Sequence, residues 1–139
     1  MNTAHFERAV PFVPLVRGDE AFVMKVYDGD TLTLAWDHRG SPVKLSTRIL
    51  GIDTPELRSP DVREKEAALC AKQALSALCL HQWVTVDTDT QLDKYGRLLA
   101  DLRLRDGRSV ATEMLALGDI CRAYDGGTRQ PWSFSDLVP

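Results

Sequence analysis

The sequence predicts a mainly β domain with helices, an α+β fold, on three observations. Apolar residues alternate with polar ones in three successive stretches across residues 19–52, and an Asp-Gly pair, the strongest short hairpin signal, separates the first two. One long segment, 61–80, carries its apolar residues at helical spacing. Two more alternating stretches and a shorter helical segment follow it.

Residues 1–18 read as an N-terminal arm, with Pro11 and Pro14 inside its only apolar patch, and the domain proper runs over 19–125. Phe22, Met24 and Val26 give the first strand an apolar face, Asp28-Gly29 turns the chain, and Leu32, Leu34 and Trp36 line the second strand. Turn formers crowd residues 37–42, after which Val43 and Leu45 begin a third strand. It ends in Arg-Ile-Leu-Gly-Ile-Asp-Thr-Pro-Glu at 48–56, where Ile49, Leu50 and Ile52 read as buried. Pro55 stops the strand and holds Thr54 extended, because its ring clashes with a helical predecessor. Strict alternation puts Arg48 and Asp53 on opposite faces, so a bulge at Gly51 is expected to bring them to one side.

Ser59 as N-cap and Pro60 at the first helical position start the long helix, in which Ala68, Ala71, Leu75 and Leu78 share a face. Trp83, Val84 and Val86 make a fourth strand, and Leu98, Ala100, Leu102 and Leu104 a fifth, with Asp93-Lys94-Tyr95-Gly96-Arg97 in the polar turn between them. Asp106-Gly107 leads into a second helix near 109–117, ended by Gly118. Residues 126–139, with Gly126, Gly127 and Pro131, read as a loose C-terminal tail. This order of elements is that of a five-stranded Greek-key barrel, the OB-fold, whose open face commonly binds nucleic acid. An α+β sandwich would use the same parts.

A chain of 139 residues, 44% hydrophobic, suits one domain; such a domain buries roughly two-thirds of its unfolded surface. No apolar run approaches the roughly 20 residues of a membrane span. Glu7 and the two prolines are unlike a signal peptide, so the chain reads as cytoplasmic or otherwise intracellular. Cys70, Cys79 and Cys121 form no Cys-x-x-Cys pair, and His5, His38 and His81 are scattered, which argues against zinc. All three cysteines read as buried free thiols. The net charge of −3 is unlike the basic excess of a general nucleic-acid binder.

Three polar clusters fall at strand ends that a small barrel can bring together: Asp28-Gly29-Asp30-Thr31, the 48–56 stretch, and 93–97. Each alone has an ordinary structural reading as a turn or a solvated loop. If Asp30, Asp53 and Glu56 converge, however, two carboxylates about 4 Å apart repel by about 4 kcal/mol at an effective dielectric of about 20, and a cation would relieve this. All the candidate ligands are oxygens, which selects Ca²⁺, Mg²⁺ or Mn²⁺ over zinc or copper. An EF-hand reading of Asp87, Asp89 and Asp93 fails, because Leu92 stands at the glycine position and Leu98 at the bidentate glutamate. Arg48 and Arg97 offer planar forks that match phosphate oxygens. A metal, a carboxylate and two arginines suit a phosphodiester: the cations stabilise charge building on phosphorus, and Glu56 orients or deprotonates water.

Asp-Gly-Asp-Thr, then Arg-x-x-x-x-Asp-Thr-Pro-Glu, then Asp-Lys-Tyr-Gly-Arg, in this order, resembles the thermonuclease family, the staphylococcal nuclease-like proteins, over about residues 20–124. The resemblance implies an OB-fold and Ca²⁺-dependent cleavage of DNA and RNA to products ending in 3′-phosphates. Carried over by position, it implies calcium ligands in the side chains of Asp30 and Asp53 and the backbone carbonyl of Thr54. It makes Arg48, Glu56 and Arg97 catalytic, and gives Lys94, Tyr95 and Tyr124 contacts to the nucleotide. The implied partners are single-stranded or locally melted DNA and RNA, met by a monomer without a membrane. The chain departs from the family in a shorter loop after Glu56, where Arg58, Arg63 and Lys65 are the available basic residues, and in Gly126, where a second tyrosine is usual. The alternative is an OB module that binds nucleic acid or protein without cleaving it. Arg48, Glu56 and Arg97 together favour the nuclease, since a binding module has no physical need for a glutamate beside the phosphate.

Overall fold

The computed structural model describes residues 3–9 and 12–134, so Pro11 of the expected arm and residues 135–139 of the expected tail lie outside the described residues. In chain order the elements are β1 (Glu20–Val26), β2 (Thr31–His38), β3 (Ser41–Ile49), β4 (Ile52–Asp53), α1 (Val62–Cys79), β5 (Trp83–Val86), β6 (Gln91–Leu92), β7 (Leu98–Ala100), β8 (Leu102–Arg103), α2 (Val110–Leu115) and β9 (Arg122–Ala123).

β1, β2 and β3 form the expected antiparallel meander, but the first strand has the opposite phase to the one its sequence suggests. Ala21 and Val23 are buried and Met24 is exposed. Val23 pairs with Leu34 and Lys25 with Thr33, so the register skips Met24; this bulge resets the alternation and turns Val26 inward. Phe22 packs edge-on against Trp83 and stacks parallel to His81.

The bulge expected at Gly51 is a turn instead. Leu50, read as buried, is exposed, and Gly51 takes a φ of +91°, a left-handed conformation that favours glycine. The chain then re-enters as β4, which pairs with β9 in a separate two-stranded sheet.

α1 begins two residues later than the Ser59 cap predicts. Asp61 is the N-cap, accepting from the Arg63 amide, while Ser59 Oγ accepts from the Asp61 amide and so sets the cap in place. Ala67, Ala68, Ala71, Leu75 and Cys79 form its buried face. These small residues let the helix lie close to the β1–β2 turn: a Cβ on Gly29 would stand 2.6 Å from Ala71 Cβ and 2.9 Å from the Thr54 side chain. Gly29 is therefore required by this close approach, beyond any turn preference.

β7 pairs parallel with β3, β8 pairs antiparallel with β5, and Asp101 alone separates β7 from β8 in the chain. Inside the β6 edge, the sheet order β6-β7-β3-β2-β1-β5-β8 thus runs from β7 to β8, adjoining pieces of one segment, the predicted fifth strand, which curls the sheet into an OB barrel. Asp101 holds the bend, with Oδ1 accepting from the Leu102 and Ala111 amides and Oδ2 from the Ser109 hydroxyl. Leu32, Leu34, Ile49, Leu75, Leu98, Leu102 and Met114 fill the core, joined by Leu15 from the expected arm, whose carbonyl accepts from Thr90 at 2.6 Å. Cys79 and Cys121 are buried, and burial pushes both thiols up to about 12; Cys70, expected to be buried, is exposed because it falls on the outer face of α1. Among the described residues no helix is long and apolar enough to cross a membrane.

Candidate active site

Two strand exits meet at Asp30. Its Oδ2 accepts from the backbone amide of Thr54 at 3.2 Å and from the Thr54 hydroxyl at 3.1 Å, and its Oδ1 accepts from the Thr31 hydroxyl at 3.0 Å. These bonds clip the β1–β2 turn to the end of β4. Asp53, one residue earlier, is 1% exposed. Arg48 Nη2 lies 3.7 Å from Asp30 Oδ2 and 3.7 Å from Asp53 Oδ1, and its Nη1 donates to the Ile52 carbonyl at 3.1 Å. The turn at Leu50-Gly51 therefore brings Arg48 and Asp53 to one side, as the sequence suggested, by a different device. The Tyr124 ring packs against the same guanidinium, 5.2 Å from its centroid.

Glu56 hangs at the edge of this cluster with half its side chain exposed. Its amide donates to the Glu64 carboxylate of α1 at 2.9 Å, which anchors the backbone below the side chain. Asp93 organises the third motif. Its Oδ1 accepts from the amides of Tyr95 and Arg97, and its Oδ2 accepts from Arg97 Nε at 2.7 Å. Burial alone would raise the Asp93 pKa, but these hydrogen bonds outweigh it and hold the carboxyl below the usual range. Lys94 and Arg97 both lie against the exposed Tyr95 ring, at 5.2 and 5.7 Å.

Arg48, Lys94, Tyr95, Arg97 and Tyr124 line one cleft of ≈ 610 Å³. A neighbouring hollow of ≈ 390 Å³ is lined by Asp28, Asp30, Glu56, Arg97 and Arg129. Arg97 faces both. The structure thus gathers Asp30, Asp53, Thr54 and Arg48 into contact, sets Glu56 beside them, and places Arg97 in the lining of the same cleft as Arg48, bonded to Asp93 rather than to the other carboxylates.

Two residues of the site, Arg122 and Arg129, escaped the sequence reading, and a third, Asp28, has no role in it beyond the turn. Asp28 accepts from the Asp30 amide at 3.0 Å, and burial, reinforced by the charge of Asp30, pushes its carboxyl up to about 7. Arg122 on β9 lies 3.0 Å from Asp53 Oδ2, and Arg129 from the tail lies 2.7 Å from Asp53 Oδ1. The position of Arg122, two residues before Tyr124 at the chain's return to the site, was a usable signal. Arg129 had none, because no periodicity fixes the path of a tail.

The donor set suits a hard cation. Asp53 Oδ1 is buried and accepts no hydrogen bond of good geometry, an arrangement that is costly unless positive charge faces it. Among the described residues no three Asp, Glu, His or Cys side chains gather into a metal cluster, so a cation here would depend on the Thr54 carbonyl and on water to complete its shell.

A β barrel that presents buried carboxylates and guanidinium groups beside an open cleft defines an OB-fold domain with a charged site at its strand ends. Residues 46–127, more than half the chain, match the staphylococcal nuclease homologue family, and the chain belongs to that family. It is 34% identical over 92 residues to the Thermonuclease of Staphylococcus intermedius, an alignment covering 66% of this chain and 52% of that protein. The chain spans about half the length of this curated relative. The family match begins at Ser46, so the place of Asp30 in the site rests on the hydrogen bonds described above.

Proposed function

We propose that the chain is a calcium-dependent nuclease that cleaves DNA and RNA to products ending in 3′-phosphates. The observation that carries this reading is Arg48, 3.7 Å from both Asp30 and Asp53, lining the same cleft as Arg97. Held by the Asp30 and Asp53 carboxylates and the Thr54 carbonyl, calcium would supply further positive charge against the phosphate oxygens. The other roles belong to the chain itself. Arg48 and Arg97 fork onto the phosphate and stabilise the charge that builds on phosphorus. Asp93 fixes the direction of Arg97 through its Nε. Glu56, exposed and anchored through its amide, takes a proton from the attacking water. Attack opens the bond between phosphorus and the 5′ oxygen, leaving a 3′-phosphate on one fragment and a 5′-hydroxyl on the other.

Lys94, Tyr95 and Tyr124 hold the neighbouring nucleotide, the tyrosines by stacking worth about 1–3 kcal/mol per base. A base lies on these rings only after leaving its own stack, which favours single-stranded or locally melted substrate. Every residue invoked comes from one chain, so a monomer suffices. The test is incubation of plasmid, single-stranded DNA and RNA with pure protein in Ca²⁺ and in chelator, with analysis of the new ends. Calcium-stimulated fragments that accept 3′ extension only after phosphatase treatment are expected. Fragments with free 3′-hydroxyls, or no calcium-stimulated cleavage of any substrate, would overturn the reading.

A further inference from the structure

We propose that Arg129 is a built-in counter-cation of this site, and that it sets the affinity for calcium by competing for the oxygens that bind it. The inference rests on the calcium site proposed above. Arg129 is carried to the site by a strap fastened on both sides. Before it, the Tyr124 hydroxyl donates to the Gly127 carbonyl at 2.6 Å, and Asp125 Oδ1 accepts from the Gly127 amide at 2.8 Å. After it, the Arg122 guanidinium donates to the Gln130 carbonyl and lies 3.9 Å over the Trp132 ring. Trp132 in turn stacks on Phe134, which is 3% exposed.

So placed, Arg129 puts Nη2 2.7 Å from Asp53 Oδ1 and 3.4 Å from the Thr54 carbonyl, and Nη1 on Glu56 Oε1. One side chain thereby spans two of the three proposed calcium ligands and the proposed base. A calcium ion sits about 2.3–2.6 Å from its oxygens, which is the space Nη2 already fills beside Asp53. The two cations exclude each other. The local charges agree, since the carboxylates of Asp30, Asp53 and Glu56 face the guanidinium groups of Arg48, Arg122 and Arg129, with Asp28 and Arg97 lining the same hollow. Removing Arg129 takes one positive charge from this group. A guanidinium does not titrate away in the physiological range, so calcium must displace it bodily.

Calcium titrations by calorimetry on the full chain, without nucleic acid, test this with wild type, Arg129→Gln, Arg129→Lys and Asp53→Asn. Arg129→Gln is expected to bind calcium more tightly, by on the order of tenfold, within the usual range for coupled sites. Arg129→Lys should fall between, because an ammonium keeps the charge but cannot span Asp53 and Glu56. Thermal melts supply a second readout that a substrate-binding role would not move: in chelator Arg129→Gln should melt below wild type, and saturating calcium should close or reverse the gap. If binding is lost in Asp53→Asn but is equal or weaker in Arg129→Gln than in wild type, the competition is wrong while the calcium site stands; Arg129 is then a substrate contact or a simple tail anchor. If no protein shows saturable, Asp53-dependent binding, the calcium site itself fails and this inference with it.

Discussion

Arg48→Met separates a structural from a purely chemical role for the central arginine. The guanidinium is 13% exposed and lies 3.7 Å from each of two carboxylates. At that separation and an effective dielectric of about 20, each contact is worth about 4–5 kcal/mol before desolvation is counted. Removing one partner from a buried ion pair costs about 3–5 kcal/mol in practice. Here the carboxylates are not stranded: Asp53 keeps Arg122 at 3.0 Å and Arg129 at 2.7 Å, and Asp30 keeps its donors from Thr31 and Thr54. The expected cost is therefore lower, about 2–3 kcal/mol with the lost bond to the Ile52 carbonyl included. For a domain of this size that lowers the melting temperature by about 5–12 °C. Thermal melts in chelator, at low salt and at about 0.5 M salt, are the assay, because a mostly buried pair is screened far less than a surface one. A fall below about 2 °C, or one that vanishes at high salt, would show that Arg48 is a solvated cation and that the Asp30–Arg48–Asp53 cluster does not hold the site together.

Glu56→Gln and Arg97→Ala should each lower turnover by about 10²–10³, the usual cost of losing one pre-aimed charge contact. The Glu56→Gln melting temperature should barely move, since that side chain is 49% exposed, whereas Arg97→Ala should also melt lower because it removes a partner of the mostly buried Asp93 carboxylate; kinetics beside melts decide it. Gly29→Ala should cost about 1–3 kcal/mol through overpacking against Ala71, and Ala71→Gly in the same chain should restore part of it in thermal melts. Of the three thiols, a disulfide-exchange reagent at pH 8 should label only Cys70 quickly, with Cys79 and Cys121 reacting after denaturation, because burial pushes both up to about 12. The Asp93 carboxyl is held below the usual range, so its contribution to stability is present above the ordinary aspartate pKa and lost as pH falls through the lowered value. Melts of wild type and Asp93→Asn should accordingly differ at neutral pH and converge in strong acid.

What the sequence made legible was whatever a local rule decides. The alternation of Leu32 and Leu34, the helical spacing of Ala68, Ala71 and Leu75, and the short second helix after Asp106-Gly107 all stand in the fold as their neighbours in sequence imply. The misreadings occur where a partner element decides. Pairing with β2 sets the bulge at Met24, so nothing within β1 could have given its phase. At Gly51 the glycine did mark an irregularity, but whether it became a bulge or a turn depended on β9 arriving to pair with Ile52 and Asp53. Asp61 displaced Ser59 as cap because both can serve, and the fold uses one to position the other. For the same reason the site was legible in its motifs and not in its completion: Arg122 and Arg129 reach Asp53 from 69 and 76 residues away in sequence.

The net charge of −3, which argued against a nucleic-acid partner, loses its force once the charges are located. Asp30 and Asp53, buried at 7% and 1% exposure, each lie within 4 Å of a guanidinium, and Asp93 is bonded to Arg97. The larger cleft is lined by Arg48, Lys94 and Arg97 with the Tyr95 and Tyr124 rings, against the carboxylates of Asp93, which is bonded to Arg97, and Asp125. A phosphate entering there meets the local field, which falls off within about 10 Å at moderate salt, and not the sum over the chain. The acidic excess lies elsewhere, on exposed residues such as Asp89 and Asp119. An acidic domain with a short basic cleft attracts one or two phosphates and repels the rest of a long polyanion. That suits a short, local contact better than extended binding, and it puts the weight on the Asp53 and Glu56 oxygens that Arg129 already holds.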